Sequence, residues 1–231
     1  MLKIDALDKK ILFELDLNSR QSISELSRKV KYGRDIVEYR IDRLIKEGVI
    51  QKFTATVNPY ALGKTIYKCY LKLKNQPPEI RRLLNSIGES KKIYCYTLCH
   101  GTFDLIYTIM ASSPFEFSQI ESELISKHKE IILSNHLGVI VSYSCYPRRY
   151  LSLKSKEVGV TIGGEPFTSK IDSIDSILLQ ELSLNSRITA KELSEKAGVS
   201  TPNITSRLGK YEAQNIIAGY RIELNASLLG Y

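Results

Sequence analysis

Two short stretches of this chain concentrate side chains able to hydrogen-bond with nucleic acid. Arg34, Asp35, Glu38, Tyr39, Arg40 and Arg43 surround Val37, Ile41 and Leu44, whose spacing marks the buried stripe of a helix. An Arg fork matches guanine edges, and Tyr or a later Arg can hold phosphate oxygens. Thr201, Asn203, Thr205, Ser206, Arg207 and Lys210 form the second stretch. Their short polar groups suit base edges but attract phosphate weakly. Any charged amphipathic helix shows such a face to solvent, so the surrounding elements have to decide between the two readings.

Those elements repeat. Residues 171–231 align with 1–64 without a gap, and about 19 of roughly 60 positions are identical. Ile4-Asp5 matches Ile171-Asp172, Leu17-Asn18-Ser19-Arg20 matches Leu184-Asn185-Ser186-Arg187, and Leu62-Gly63 matches Leu229-Gly230. A duplicated core alone would keep only the apolar pattern; here the polar triplet Asn-Ser-Arg is kept too. In the first copy Leu7, Ile11, Leu12 and Leu15 predict a helix, with Asp5 and Asp8 favoured at its N-terminus by the helix dipole. Ser22 and Glu25 form a capping box opening a short second helix. Lys31-Tyr32-Gly33 is the turn, with Gly33 free for a cap or a positive φ. A third helix runs from Arg34 to Lys46, stopped by Gly48. Val49 to Val57 reads as a two-stranded wing. The second copy has Thr189 and Glu192 as its capping box, Gly198-Val199-Ser200 as its turn, Ser200 as N-cap, Pro202 in the first helical turn and Asn215 as its stop. Short helix, turn, amphipathic helix and wing in that order favour DNA, with the early residues of the last helix in the major groove. Arg34 is then placed to meet a base and Arg43 only the backbone. The second copy could instead be a degenerate head that packs against protein.

Composition sets the outer limits. The chain has 231 residues, 43% hydrophobic and 25% charged, with net charge +8. That charge is uneven: about +4 over residues 1–64, +4 over 65–150, +1 over 151–170 and −1 over 171–231. The first head is thus expected to carry most of the phosphate attraction and salt dependence, and the second to add selectivity or footprint. On that view a chain cut near Ser169 keeps much of its affinity. No apolar run reaches membrane-spanning length and the N-terminus lacks an apolar signal segment, so a cytoplasmic protein with no membrane partner is expected. Cys69, Cys95, Cys99 and Cys145 form no C-x-x-C pair, and neither a metal nor a disulfide framework is expected. Residues 152–170, rich in Ser, Lys and Gly, read as a linker in which Val158 to Ile162 could form a short strand.

Between the heads, residues 65–151 read strand, helix, strand, strand, helix, strand. The predicted elements are Ile66–Leu73, a helix from Pro77 to Ile87, Ile93–Leu98, Leu105–Met110, a helix from Pro114 to His128, and Gly138–Tyr146. That is the ferredoxin-like βαββαβ order. The fold class is therefore α+β: a winged helix-turn-helix over 1–64, a ferredoxin-like module over 65–151, and a second winged helix-turn-helix over 171–231. No second sheet module is expected after Tyr231.

With its first head, this region resembles the Lrp/AsnC (leucine-responsive/asparagine-operon) family of transcription regulators. The resemblance rests on Leu7-Asp8, Ile11-Leu12, Leu15, Arg20, Glu25-Leu26, Arg40-Ile41, Leu44, Gly48-Val49-Ile50, Leu62-Gly63 and the loop Gly101-x-x-Asp104. It implies a sequence-specific regulator of double-stranded DNA that needs no cofactor. It also implies a homodimer or larger assembly paired through the middle sheets, with half-sites about 34 Å apart or a multiple of that. An amino acid effector is implied at the loop, Asp104 meeting its amino group and Gly101 and Thr102 bordering it, although Gly-x-x-Asp is also ordinary hairpin chemistry. The chain departs from the family pattern in having Gly33 where Ser is usual and in carrying a second head. Two other functions fit the architecture. Four heads per dimer could coat or bridge DNA with little sequence preference. Some similar proteins decarboxylate haem precursors with His and Arg, but His100, His128 and His136 here belong to no His-Arg cluster of catalytic spacing, so an enzyme is not expected.

Overall fold

The computed structural model describes residues 4–152, 159–164 and 169–230. In chain order the helices and strands are α1 (Ala6–Leu17), α2 (Ile23–Val30), α3 (Arg34–Lys46), β1 (Ile50–Val57), β2 (Thr65–Leu73), α4 (Pro77–Glu89), β3 (Ile93–Leu98), β4 (Leu105–Ala111), α5 (Pro114–His128), β5 (Ile132–Ile140), β6 (Ser142–Cys145), β7 (Val160–Gly163), α6 (Ser173–Leu184), α7 (Ala190–Ala197), α8 (Thr201–Ala213) and β8 (Ile217–Leu224). They form two compact units. One holds both heads together with residues 144–162; the other holds 59–143 and 163–169.

Each head is a three-helix cluster closed by caps. Asp5 and Asp8 do more than favour the dipole: each carboxylate accepts the other's backbone N–H, a reciprocal box at the start of α1. Asp172 and Asp175 repeat it on α6, and Ser22-Glu25 and Thr189-Glu192 form the boxes of α2 and α7. These boxes satisfy amides that a helix start otherwise leaves unpaired. Inside, Ile11, Leu12, Leu15, Leu26, Val37 and Leu44 are fully buried, as are Leu178, Leu182, Leu193, Ile204 and Tyr211 in the second copy, or within 2% of it. Of the two roles open to Gly33, the turn takes the cap. Gly33 has φ −59 and caps α3. The left-handed residue is Lys31, at φ 64, where the second copy places Gly198. Ser27 and Ser194 tie the two turns in the same way, each hydroxyl donating to the carbonyl five residues on.

The wing is shared between the heads. Each head supplies one strand, and β1 pairs antiparallel with β8. Phe53 lies opposite Ile222 and Ala55 opposite Tyr220, while Thr54 faces Arg221, its own equivalent in the repeat. Each pair maps onto another when the two copies are exchanged, so a pseudo-twofold axis passes at Thr54 and Arg221. The bulges at both ends of the ribbon obey it as well. This pairing also explains the kept triplet. The Ser19 and Ser186 hydroxyls meet at 2.6 Å on the axis. The Ser19 amide donates to the Tyr220 carbonyl and the Ser186 amide to that of Phe53. Arg20 donates to the Ser186 and Ile188 carbonyls and lies over the Tyr220 ring; Arg187 donates to the Gln21 carbonyl and lies over Phe53. The interface is isologous, the type formed by twofold-related subunits, within one chain.

One side breaks the symmetry. Asp16, whose equivalent is Ser183, is buried and binds Arg148 and Arg221, the latter at 2.8 Å. Arg221 also donates to the Tyr146 carbonyl, and Leu151 enters the first head's core. Residues 146–151 are thereby strapped onto that head. Residues 146–151 thus belong with the heads and not with the predicted 65–151 module. Part of the predicted linker, 152–170, is structured as well; its strand is β7, paired with β6, with Ser144 and Thr161 hydroxyls at 2.8 Å. Val158 lies outside the described residues.

The second unit is a four-stranded antiparallel sheet in the order β3-β4-β2-β5, the ferredoxin-like topology, with α4 and α5 packed on the face of Cys69, Leu71, Leu105, Tyr107 and Ile109. Its last long strand begins at Ile132, six residues before the predicted Gly138, and ends at Ile140. Alternation in Ile132–Asn135 is hidden because edge strand β5 leaves Leu133, Leu137 and Val139 more than half exposed.

Removing either interface arginine should be costly, because each leaves buried carbonyls unpaired on the other head. Arg20→Ala and Arg187→Ala are each expected to lower unfolding free energy by roughly 2–3 kcal/mol. Urea denaturation checks this: the midpoint should fall with the slope unchanged.

Candidate nucleic-acid interface

The two amphipathic helices α3 and α8 carry the candidate residues, and their first turns are exposed. Arg34, Asp35, Glu38 and Tyr39 all face solvent, Tyr39 at 64%. Beside them Ile36, 48% exposed, lies off the Val37-Ile41-Leu44 stripe, an apolar side chain that a pattern of polar groups does not mark. On α8 Thr201, Asn203, Thr205, Ser206 and Lys210 are exposed at the equivalent face. Thr205 returns its hydroxyl to the Thr201 carbonyl, and the Asn203 amide oxygen accepts from Arg207 Nε at 2.8 Å, which orients it.

The heads' other four helices begin with a capping box, but neither α3 nor α8 has a side-chain cap. Gly33 has no side chain to offer, and Ser200 makes no cap bond. Their N-terminal amides are left to an outside acceptor, the arrangement that suits phosphate oxygens.

Three of the sequence candidates do a different job. Arg40 binds Asp5 at 2.6 Å and Asp8 at 3.1 Å, and Arg43 binds Asp8 at 2.6 Å. In the second head Arg207 grips Asp172 at 2.8 Å and Asp175, which also accepts from the buried Tyr211 hydroxyl. Asp8 and Asp175 are buried carboxylates that would be unstable without these donors. Arg40, Arg43 and Arg207 thus brace α3 and α8 against α1 and α6 and are not free cations on the reading face. Helical spacing alone cannot show this, since the partners sit 32 to 35 residues away. Lys210 replaces Arg43 in the second head and stays exposed.

The loop in the second unit is closed on itself. Asp104 Oδ2 accepts the Leu73 amide at 2.8 Å and Oδ1 accepts Lys72 Nζ at 2.9 Å, contacts that hold the carboxyl below its ordinary value of 3.8. Lys72 also donates to the Gly101 carbonyl at 3.0 Å. Gly101 has φ 134, a conformation that strains any side chain. Thr102 is exposed, and Phe103 packs between Tyr70 and His136. Among the described residues no group of three or more His, Cys, Asp or Glu could hold a metal, and no helix is long and apolar enough to cross a membrane. The four thiols are free, and burial pushes that of Cys69 up to about 12.

A family model for winged helix-turn-helix DNA-binding domains matches residues 4–51 and again 171–218. An uncharacterized HTH-type transcriptional regulator of Pyrococcus horikoshii is 33% identical over 133 residues, 55% of this chain and 85% of that protein. The leucine-responsive regulatory protein of Rhizobium meliloti is 47% identical over 62 residues, 27% of this chain and 40% of that protein. Among solved structures, an AsnC family transcriptional regulator from Agrobacterium tumefaciens superposes with TM-score 0.54 at 18% identity, covering 62% of this chain and 94% of its own. The siroheme decarboxylase NirDL superposes with TM-score 0.67 at 10% identity, covering 95% of this chain and 65% of its own. At that identity the likeness is one of fold, and it extends to the second head.

The two winged helix-turn-helix matches and the regulator relatives place the chain among HTH-type transcription regulators. The chain belongs to the Lrp/AsnC family of HTH-type transcription regulators.

The bracing carboxylates give this fold a signed pH response. Asp5 is held below 3.8 chiefly by the Asp8 amide with help from Arg40, and Asp172 chiefly by Arg207. Their contribution is complete above the unfolded value near 3.8 and is lost as pH falls through the lower folded value. Acid titration followed by circular dichroism should show unfolding setting in below about pH 4. Arg40→Ala should move that onset to higher pH, while Arg34→Ala should leave it in place.

Proposed function

We propose that the exposed first turns of α3 and α8 are the surfaces that meet duplex DNA. The observation that carries this is the pair of uncapped helix starts, each flanked by exposed hydrogen-bonding side chains, in heads whose other helix starts are all capped. Arg34, Asp35, Glu38 and Tyr39 contact DNA from the first head. Thr201, Asn203, Thr205, Ser206 and Lys210 contact it from the second. The first head supplies most of the phosphate attraction, because it carries about +4 against −1 for the second. The heads do not separate cleanly, however. Cutting at Ser169 strips β8 from β1 and uncovers Phe53 and Ser19, so point variants are the fair test.

Arg34→Ala should weaken binding by roughly 1–3 kcal/mol and relax base preference at one position. Tyr39→Phe should weaken all sequences alike if the hydroxyl holds a phosphate. Fluorescence anisotropy on duplexes of varied sequence reads both effects. If the parent and Arg34→Ala bind every duplex equally, the face is not a DNA reader.

The protein works in the cytoplasm as a homodimer or larger assembly. The helix-free face of the middle sheet supports pairing: Met110 and Ile140 are half-buried there, and Tyr70 stands beside Ile106. Sedimentation should give at least twice the chain mass at micromolar concentration; a stable monomer removes the dimer.

An amino acid effector at Gly101, Thr102 and Asp104 has to contend with Lys72, whose ammonium already fills the place of a ligand amino group. Calorimetric titration with leucine should therefore give weak or no heat for the parent, and measurable binding for Lys72→Ala. No binding to either protein removes the effector from this loop.

A further inference from the structure

The pseudo-twofold axis is kept by the framework and broken at the reading surface. Every β1–β8 pair has its symmetry mate, Ser19 meets Ser186 on the axis, and Arg20 on the Ile188 carbonyl and Tyr220 ring is matched by Arg187 on the Gln21 carbonyl and Phe53 ring. The bracing pair Arg40 and Arg207 is kept too. At the exposed start of α3, however, stand Arg34, Asp35, Ile36, Glu38 and Tyr39. The equivalent positions of α8 hold Thr201, Pro202, Asn203, Thr205 and Ser206. None is shared. A homodimer of single-headed chains sets two copies of one face about its axis and reads a palindrome. Here one chain fills both sides of the axis with different faces.

We infer that a single chain recognises a composite, non-palindromic duplex element of two unlike half-sites, held in fixed order and spacing by the β1–β8 ribbon. The inference rests on the DNA-binding reading above and deepens it. The side chains assign each half. Arg34 offers a fork to guanine, and Asp35 or Glu38 accepts from the cytosine amino group, so the α3 half contains G·C pairs. Asn203, oriented by Arg207, pairs with an adenine edge, and the Thr201 and Thr205 methyls suit thymine, so the α8 half is built on A·T. The asymmetric strap at Asp16, Arg148 and Arg221 gives the two sides different mechanical surroundings, but the ribbon sets their spacing.

The test is selection of duplexes of about 25 base pairs from a randomised pool by the full chain, a length with room for one pair of half-sites a helical turn apart. The expected motif has two dissimilar halves, one with G·C and one with A·T pairs, always in the same orientation. In competition the composite duplex should bind about tenfold or more tighter than a palindrome of either half, as one lost bidentate contact would give. Arg34→Ala should relax preference in the first half alone, and Asn203→Ala in the second alone. A motif built only from repeats of one half-site overturns the inference, as does equal binding of composite and palindrome of one half, or one chain holding two separate duplexes; an inverted pair of whole composites is what a dimer of such chains would select and supports it. Retention of no duplex at all overturns instead the DNA-binding reading beneath it.

Discussion

The antiparallel pairing of β1 with β8 is the constraint on which the rest of this chain depends. A single strand emerging from a three-helix head has unpaired amides and carbonyls along both edges, and burying them without partners is costly. Each head lends its strand to the other, so neither wing is complete alone. The pairing brings Ser19 against Ser186 and lays Arg20 and Arg187 over the opposite head's aromatic rings. Exchange of one copy for the other leaves these contacts unchanged. The chain has built in cis the kind of interface that separate subunits build in trans.

A second constraint, local to each head, limits what the charged residues of α3 and α8 can do. Each head buries a carboxylate of its first capping box, and a buried carboxylate needs cations. Arg40 and Arg43 meet that need in the first head, and Arg207 with the Tyr211 hydroxyl in the second. The reading face is left with the residues of the first helical turn, where the uncapped amides also point. Rigidity of the helix and freedom of its start come from the same division: inner arginines are spent on the fold, outer residues remain available to a ligand. The Asp104 loop follows the same logic on a smaller scale, its carboxylate held by Lys72 and a backbone amide.

The likeness to regulators and the likeness to a decarboxylase rest on different things. The sequence relatives are HTH-type transcription regulators, one of them 33% identical over 133 residues of this chain. The decarboxylase shares the order of modules at 10% identity, which speaks of how a duplicated head packs and not of what it reads.

Much was fixed by sequence alone. Local signals placed α3, β3 and α5 at their observed bounds, because apolar period, capping residues and prolines act within a few positions of themselves. The repeat, the sheet module and the exposed polar residues that open α3 and α8 were visible for the same reason, as was the left-handed stop at Gly48 and Asn215. Tertiary structure alone decided where β1 finds its partner, since that partner lies some 167 residues on, at the distance separating Ser19 from Ser186. It alone gave the Asn-Ser-Arg triplet a meaning, and moved Arg40, Arg43 and Arg207 from the reading face to the buried aspartates. It chose the cap for Gly33 and put the turn's positive φ at Lys31. Periodicity tells which face of a helix is buried. It does not tell which distant group that face will meet, because long-range pairing is chosen by the whole chain folding at once.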